Sequence, residues 1–85
     1  MSLGVLWQSR AEKDLRRLDA GVQRRVVAAV LAFADSEQGD IVRLRGIDPP
    51  EYRLRVGDWR VRLALDREAR LLRVLRVLPR DKAYR

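Results

Sequence analysis

Residues 52–62, with the sequence YRLRVGDWRVR, constrain the fold more than any other segment of this chain. Apolar and basic residues alternate on both sides of Gly57 and Asp58, which is the pattern of two antiparallel strands joined by a tight turn. Glycine at the first position of a two-residue loop is typical of a type II′ turn, because that position needs a positive φ. The sequence therefore predicts a β-hairpin centred on this turn.

The two faces of the predicted hairpin differ in charge. One face is apolar and carries Tyr52, Leu54, Val56, Trp59, Val61 and Leu63, whereas the other carries four arginines, Arg53, Arg55, Arg60 and Arg62. In this register Arg55 lies opposite Arg60, and Arg53 lies opposite Arg62. Like charges directly opposite one another destabilise a strand pair, so this face is expected to meet an anion. The alternative is a solvated face whose arginine stems cover apolar surface.

Length and composition limit the function classes. The chain has 85 residues, which is enough for one domain with a single core. Cysteine and histidine are both absent, so thiol and imidazole chemistry is excluded, and we expect neither a metal nor a cofactor. The net charge of +7 favours a polyanionic partner such as nucleic acid or an acidic protein. With no apolar run of about 18 residues and no signal-peptide pattern, we expect a cytoplasmic protein that does not enter a membrane.

The first half of the chain predicts one strand and two helices. Residues 3–8 form a short strand, and Ser9 with Glu12 makes a capping box for a helix over residues 10–18. Asp19 is expected to cap a second helix over residues 20–34. That helix has an apolar stripe of Val22, Val26, Ala29, Val30 and Phe33.

The second half predicts a three-stranded meander. Residues 41–45 lead into the hairpin through Gly46 and a rigid connection at Pro49 and Pro50. Residues 66–70 form a turn, and residues 71–78 suit an inner strand, although a helix stays open on periodicity alone. The expected fold class is α+β in the order β-α-α-β-β-β, with a helical hairpin packed on one face of a mostly antiparallel four-stranded sheet.

Three motifs, taken with this layout, resemble the RelE/ParE superfamily of type II toxins. They are LRG at residues 44–46, YRLRVGDWRV at residues 52–61 and PRDKAY at residues 79–84. The resemblance covers the whole chain, residues 1–85, as a single toxin domain. It implies a cognate antitoxin that wraps the basic surface, with the toxin monomeric alone and hetero-oligomeric with that partner.

The resemblance implies two activities, one for each branch of the superfamily. RelE-like members are ribosome-dependent mRNA endonucleases that cut in the 30S decoding site by attack of a ribose 2′-hydroxyl, leaving a cyclic phosphate. ParE-like members inhibit DNA gyrase, and a third alternative is a catalytically degenerate basic module that binds antitoxin or nucleic acid. Matching by motif favours the RelE branch, with catalytic residues Arg55, Arg60, Arg80 and Tyr84. The expected RNA-binding residues are Arg53, Arg62, Arg45 and Lys82.

The proton acceptor of such a reaction is open in the sequence. The two basic positions before the turn are often lysine in the nuclease branch, but here Arg53 and Arg55 occupy them. Arginine stays protonated at all pH values up to about 12 and is a poor base. Tyr84 is one alternative, because surrounding positive charge favours the phenolate, although Tyr84 could instead stack on a base. Glu51 is the other.

Overall fold

Two helices pack on one mixed β-sheet in the computed structural model, which describes residues 2–47 and 50–82. The elements in chain order are β1 (Gly4–Trp7), α1 (Ser9–Arg16), α2 (Ala20–Ser36), β2 (Ile41–Leu44), β3 (Glu51–Val56), β4 (Trp59–Asp66) and β5 (Leu71–Pro79). The five strands lie in the order β1-β5-β4-β3-β2. β1 is parallel to β5, and the other neighbouring strands are antiparallel. The predicted α+β fold class is confirmed.

The predicted strand count is wrong by one. The four predicted strands do not include the segment after α2, but Ile41–Leu44 pairs with β3 and forms one edge of the sheet. β3 would otherwise present its own unpaired backbone N–H and C=O groups at that edge. The segment was missed because an edge strand needs no regular apolar alternation, and Val42 and Arg43 are both exposed.

Of the two predicted helix caps, one is confirmed and the other is wrong. Asp19 caps α2 as predicted, since its Oδ1 accepts a hydrogen bond from the Val22 N–H at 3.0 Å. The capping box predicted at Ser9 is wrong, because Gln8 is the N-cap and no side chain caps α1. The Gln8 N–H donates to the Val74 carbonyl at 3.0 Å, so the sheet sets where the chain leaves β1. Within residues 2–47 and 50–82, no helix is long and apolar enough to cross a membrane.

The core lies between the helices and one face of the sheet. The predicted stripe of α2 faces it, with Val26, Val30 and Phe33 buried. From the sheet, the fully buried side chains are Leu54, Val61, Leu63, Leu72 and Val74. Trp59 packs against the edge of this cluster, as its place on the apolar face of the hairpin predicts. The helices therefore leave the arginine face of the hairpin uncovered.

β5 is an inner strand between β1 and β4, which excludes the helix left open by periodicity. Its register with β4 shifts between Arg62 and Leu63, so that Leu75 is the extra residue of a β-bulge. Because of this bulge, Val74 and Val77 both reach the core although they are three residues apart. The shift explains why this segment shows no clean alternation in the sequence.

Candidate nucleic-acid interface

The hairpin forms in the register that the sequence predicts. In the pairing of β3 with β4, Val56 lies opposite Trp59. Arg55 lies opposite Arg60, and Arg53 lies opposite Arg62. Gly57 has a φ of +59°, whereas Asp58 keeps a negative φ. A positive φ at the first loop residue alone is the pattern of a type II′ turn. The turn therefore places all four hairpin arginines on one face of the sheet.

Three of these arginines line one depression, which we call the basic depression. Arg53 and Arg55 of β3 and Arg60 of β4 surround it, together with Asp40 and Val42 from the start of the edge strand. Its volume is about 170 Å³. Guanidinium groups donate directional, charge-assisted hydrogen bonds to phosphate oxygens. The depression can therefore hold an anionic group such as a phosphodiester.

Arg60 is the most unusual residue of the basic depression because it is buried, with 6% of its surface exposed. Its Nη1 donates to the Gly57 carbonyl at 2.8 Å and to the Trp59 carbonyl at 2.9 Å. No carboxylate within residues 2–47 and 50–82 forms an ion pair with it. A buried cation without an anionic partner is costly, so Arg60 is not a solvated surface arginine. It is held in place by neutral carbonyls and can accommodate an incoming anion.

Arg55 lies at the exposed rim of the basic depression beside Asp40. Its backbone N–H donates to the Asp40 carbonyl at 2.8 Å, and its Nε lies 3.9 Å from Asp40 Oδ2. The sequence did not single out Asp40 as a functional residue. Its place beside Arg55 depends on the pairing of the edge strand, which the sequence pattern does not reveal.

Arg62 shares the arginine face but does not line the basic depression. Its Nη2 donates to Glu51 Oε1 at 2.7 Å, and the Glu51 side chain is only 14% exposed. This short, partly buried ion pair joins β3 to β4. Arg62 and Glu51 therefore contribute to the stability of the hairpin, and the Glu51 carboxylate already has a partner.

The remaining predicted site residues are dispersed. Arg45 lies in the turn after β2 and lines a separate depression of about 450 Å³. Arg80 follows β5, and its N–H donates to the Asp58 carbonyl at 2.9 Å, which ties it to the hairpin turn next to the basic depression. Lys82 is exposed close behind it. Tyr84 lies outside the described residues.

The basic depression contains one carboxylate and no other metal-ligating side chain. Across the part of the chain that the structure describes, no three acidic side chains come together as a group that could hold a metal ion. The chemistry available in the basic depression is therefore that of guanidinium groups and a single carboxylate.

Residues 5–84 match the family model described as "ParE toxin of type II toxin-antitoxin system, parDE". The chain belongs to this toxin family. No curated protein matches the sequence. Among solved structures, the toxin is similar to the archaeal RelE–RelB complex from Pyrococcus horikoshii OT3, with a TM-score of 0.82 and 25% identity over 98% of this chain and 100% of that one.

Two further solved structures share the fold of this toxin. The RelBE2 toxin–antitoxin complex from Mycobacterium tuberculosis has a TM-score of 0.80 and 22% identity, covering 94% of this chain and 93% of that chain. A mutant of the E. coli toxin RelE in the free state has a TM-score of 0.77 and 19% identity, covering 99% and 90%. The chain is thus a type II toxin with the RelE/ParE fold, and its activity has to be argued from its own site.

Proposed function

We propose that this toxin is a ribosome-dependent mRNA endonuclease that inhibits translation. The observation that carries the proposal is the convergence of Arg53, Arg55 and Arg60 on one depression. Arg60 is buried there and forms no ion pair with a carboxylate of residues 2–47 and 50–82. A site of this kind suits a phosphodiester, and the chain has no histidine to support a different ribonuclease chemistry. Cleavage would proceed by attack of the ribose 2′-oxygen on the adjacent phosphorus, without a metal.

Arg55 and Arg60 would provide the main catalytic contribution. Attack of the 2′-oxygen places additional negative charge on the non-bridging phosphate oxygens, and fixed donors aimed at those oxygens lower the barrier. In Arg60, the bonds to Gly57 and Trp59 occupy Nη1. Its Nε and Nη2 would be the donors to phosphate, and the two bonds of Nη1 would orient them before the substrate arrives.

The other proposed residues act around this centre. Arg53 would hold a flanking phosphate, and Arg80, tied by its backbone to the hairpin turn, would assist the leaving 5′-oxygen. Tyr84 would stack on the neighbouring base, a contact that contributes about 1–3 kcal/mol. Arg45 and Lys82 would contact RNA outside the basic depression. Arg62 could join them only by exchanging Glu51 for a phosphate.

An antitoxin is the proposed protein partner. The similar structure from Mycobacterium tuberculosis is a toxin–antitoxin complex, and that from Pyrococcus horikoshii is a RelE–RelB complex. The net charge of +7 and the arginine face favour a partner segment rich in acidic side chains. Such a segment would cover the basic depression and keep RNA out, leaving the toxin monomeric only when the antitoxin is removed.

Primer extension on a message translated in a reconstituted system tests the proposal. The wild type is expected to produce ribosome-dependent cuts, and Arg55→Ala is expected to lower the rate about 10²–10³-fold, as for loss of one oxyanion donor. Arg55 is exposed, so its removal should leave the fold intact. Arg60 is buried, and a loss of cleavage in an Arg60 variant could come from unfolding instead. Arg24→Ala on the exposed side of α2 removes the same charge and should cut normally. Absence of any cut by the wild type would contradict the proposal.

Inhibition of DNA gyrase is the second candidate, favoured by the family match to ParE toxins. The same protein preparation should be added to a gyrase supercoiling assay. Trapped gyrase–DNA complexes without RNA cleavage would support this candidate. Binding of RNA with a steep salt dependence and no turnover would instead indicate a non-catalytic basic module.

A further inference from the structure

We infer that Asp40 is the general base of the proposed cleavage, accepting the proton of the attacking 2′-hydroxyl. The inference rests on the proposed function and concerns the same depression. It addresses a difficulty in that chemistry: the positions before the hairpin turn carry arginine, which cannot act as a base near neutral pH.

Among the described residues that line the basic depression, Asp40 alone carries a carboxylate, which is a group that can accept a proton. The other lining residues are Val42, which has no polar side-chain atom, and three arginines. Arginine stays protonated at all pH values up to about 12. Elsewhere on the hairpin, the Glu51 carboxylate is engaged by Arg62 at 2.7 Å.

The placement of Asp40 suits a base because its backbone is fixed while its carboxylate is uncommitted. The Asp40 carbonyl accepts the Arg55 N–H at 2.8 Å, which ties the residue to β3. Its carboxylate lies 3.9 Å from Arg55 Nε and is 64% exposed, so the ion pair is long and solvent-screened. By contrast, the Asp14 carboxylate accepts three hydrogen bonds. The Asp40 carboxylate can therefore turn toward a substrate without breaking a structural contact.

The proton and electron changes of the step balance without a co-reactant. The 2′-hydroxyl loses its proton to the Asp40 carboxylate as the bond between the 2′-oxygen and phosphorus forms. The bond between phosphorus and the 5′-oxygen breaks. The leaving oxygen takes a proton from water, assisted by the positive charge of Arg80. Asp40 then returns its proton to solvent, and the products are a 2′,3′-cyclic phosphate and a 5′-hydroxyl.

Single-turnover cleavage of ribosome-bound message by Asp40→Asn tests the inference. We expect the maximal rate to fall about 10²–10⁴-fold, the usual contribution of a general base, while the concentration for half-maximal rate stays the same or decreases. Glu68→Gln is the matched control, because it removes an equal charge from an exposed turn. If Asp40 only repels phosphate, Asp40→Asn will bind RNA more tightly and keep its maximal rate, which would overturn the inference.

A rescue experiment separates a base from a structural carboxylate. Asp40→Ala removes the carboxylate, and added formate should restore cleavage in proportion to its concentration if a carboxylate accepts the proton. Formate without effect, in a variant whose melting temperature matches that of the wild type, would count against the inference.

The two proposals fail in different ways. A wild type that cuts no message would overturn the proposed function itself. A wild type that cuts, together with an Asp40→Asn variant that cuts equally fast, would overturn only the role of Asp40.

Discussion

Asp14 of α1 holds Arg76 of β5 in a two-pronged ion pair. Asp14 Oδ2 accepts from Arg76 Nε at 2.8 Å, and Asp14 Oδ1 accepts from Arg76 Nη2 at 3.2 Å. Oδ2 also accepts the Val77 N–H at 2.9 Å. β1 ends opposite Val74, so Asp14 takes the place of a neighbouring strand for the next part of β5. One carboxylate thus fastens the first helix to the sheet.

Replacing this carboxylate should destabilise the fold. We expect Asp14→Asn to lower the free energy of unfolding by about 3 kcal/mol, because it leaves the partly buried Arg76 without its counter-charge. Urea denaturation followed by circular dichroism measures the change. Glu12→Gln is the control on the same helix, since its ion pair with Arg16 is exposed and 3.9 Å long and should matter by less than about 0.5 kcal/mol. Equal losses in the two variants would contradict the expectation.

The contribution of Asp14 should depend on pH. Burial raises the pKa of Asp14, but hydrogen bonds from Arg76 and the Val77 N–H, with the charges of Arg76 and Arg17, hold that pKa below its ordinary value of 3.8. Because the folded pKa lies below the unfolded one, the stabilisation is fully present above the unfolded pKa. It is lost as the pH falls through the folded pKa.

The stability difference between wild type and Asp14→Asn should therefore shrink as the pH is lowered from about 7 to about 2. Urea denaturation of both proteins across this range measures it. The hydrogen bond to Asp14 raises the pKa of Arg76 above its ordinary value. The Arg76 guanidinium therefore stays charged throughout this pH range. A difference that stays constant down to the lowest pH would show that the charge of Asp14 is not the source of the stabilisation.

The hairpin could be predicted from sequence because its determinants are local. Alternation of period two assigns each side chain to a face, and Gly57 sets the turn, which together fix the register of β3 and β4. The start of α1 could not be predicted in the same way. There a local capping pattern at Ser9 competed with a tertiary hydrogen bond from Gln8 to Val74, and the tertiary bond prevailed.

For the candidate site, the sequence predicted which face of the hairpin carries the arginines but not the surroundings of each arginine. Spacing assigned four arginines to one side of the hairpin, but it did not distinguish their environments, which depend on distant residues. In the structure Arg60 is buried against carbonyls, Arg62 is paired with Glu51, and Arg55 is exposed beside Asp40. The partner of Arg76 is 62 residues away in the chain, beyond any periodicity argument.

The different environments of Arg62 and Arg55 predict that removing the Arg62 charge lowers stability more than removing the Arg55 charge. Arg62→Met should lower the free energy of unfolding by about 1–2 kcal/mol, because it leaves the partly buried Glu51 carboxylate without its donor. Arg55→Met removes only an exposed, 3.9 Å ion pair and should cost less than about 0.5 kcal/mol.

Urea denaturation ranks the two variants by stability, and the message-cleavage assay should rank them in reverse. Arg55→Met is expected to lose cleavage while staying folded, whereas Arg62→Met should keep most of its cleavage at a temperature where it is folded. If Arg62→Met were the more stable and the less active protein, Arg62 would belong to the RNA site and Arg55 to the scaffold.

Gly57 should be replaceable only by a residue that accepts a positive φ. Apart from Gly57 and its two neighbours in the chain, no heavy atom of the described residues lies within 4 Å of the position that an L-Cβ would take there, so a side chain meets no steric obstacle from them. The backbone φ of +59° is the remaining constraint. Gly57→Ala should therefore destabilise the protein by about 1–2 kcal/mol through backbone strain alone.

D-alanine at position 57, introduced by chemical synthesis, is the matched control. It adds the same methyl group but favours positive φ, and it restricts the unfolded chain more than glycine does. We therefore expect it to match or exceed the wild type by about 0.4–1 kcal/mol in urea denaturation. Equal destabilisation by the two alanines would mean that the methyl group, not the φ, disturbs the turn. The placement of Arg60 through the Gly57 carbonyl would then have to be explained without the type II′ geometry.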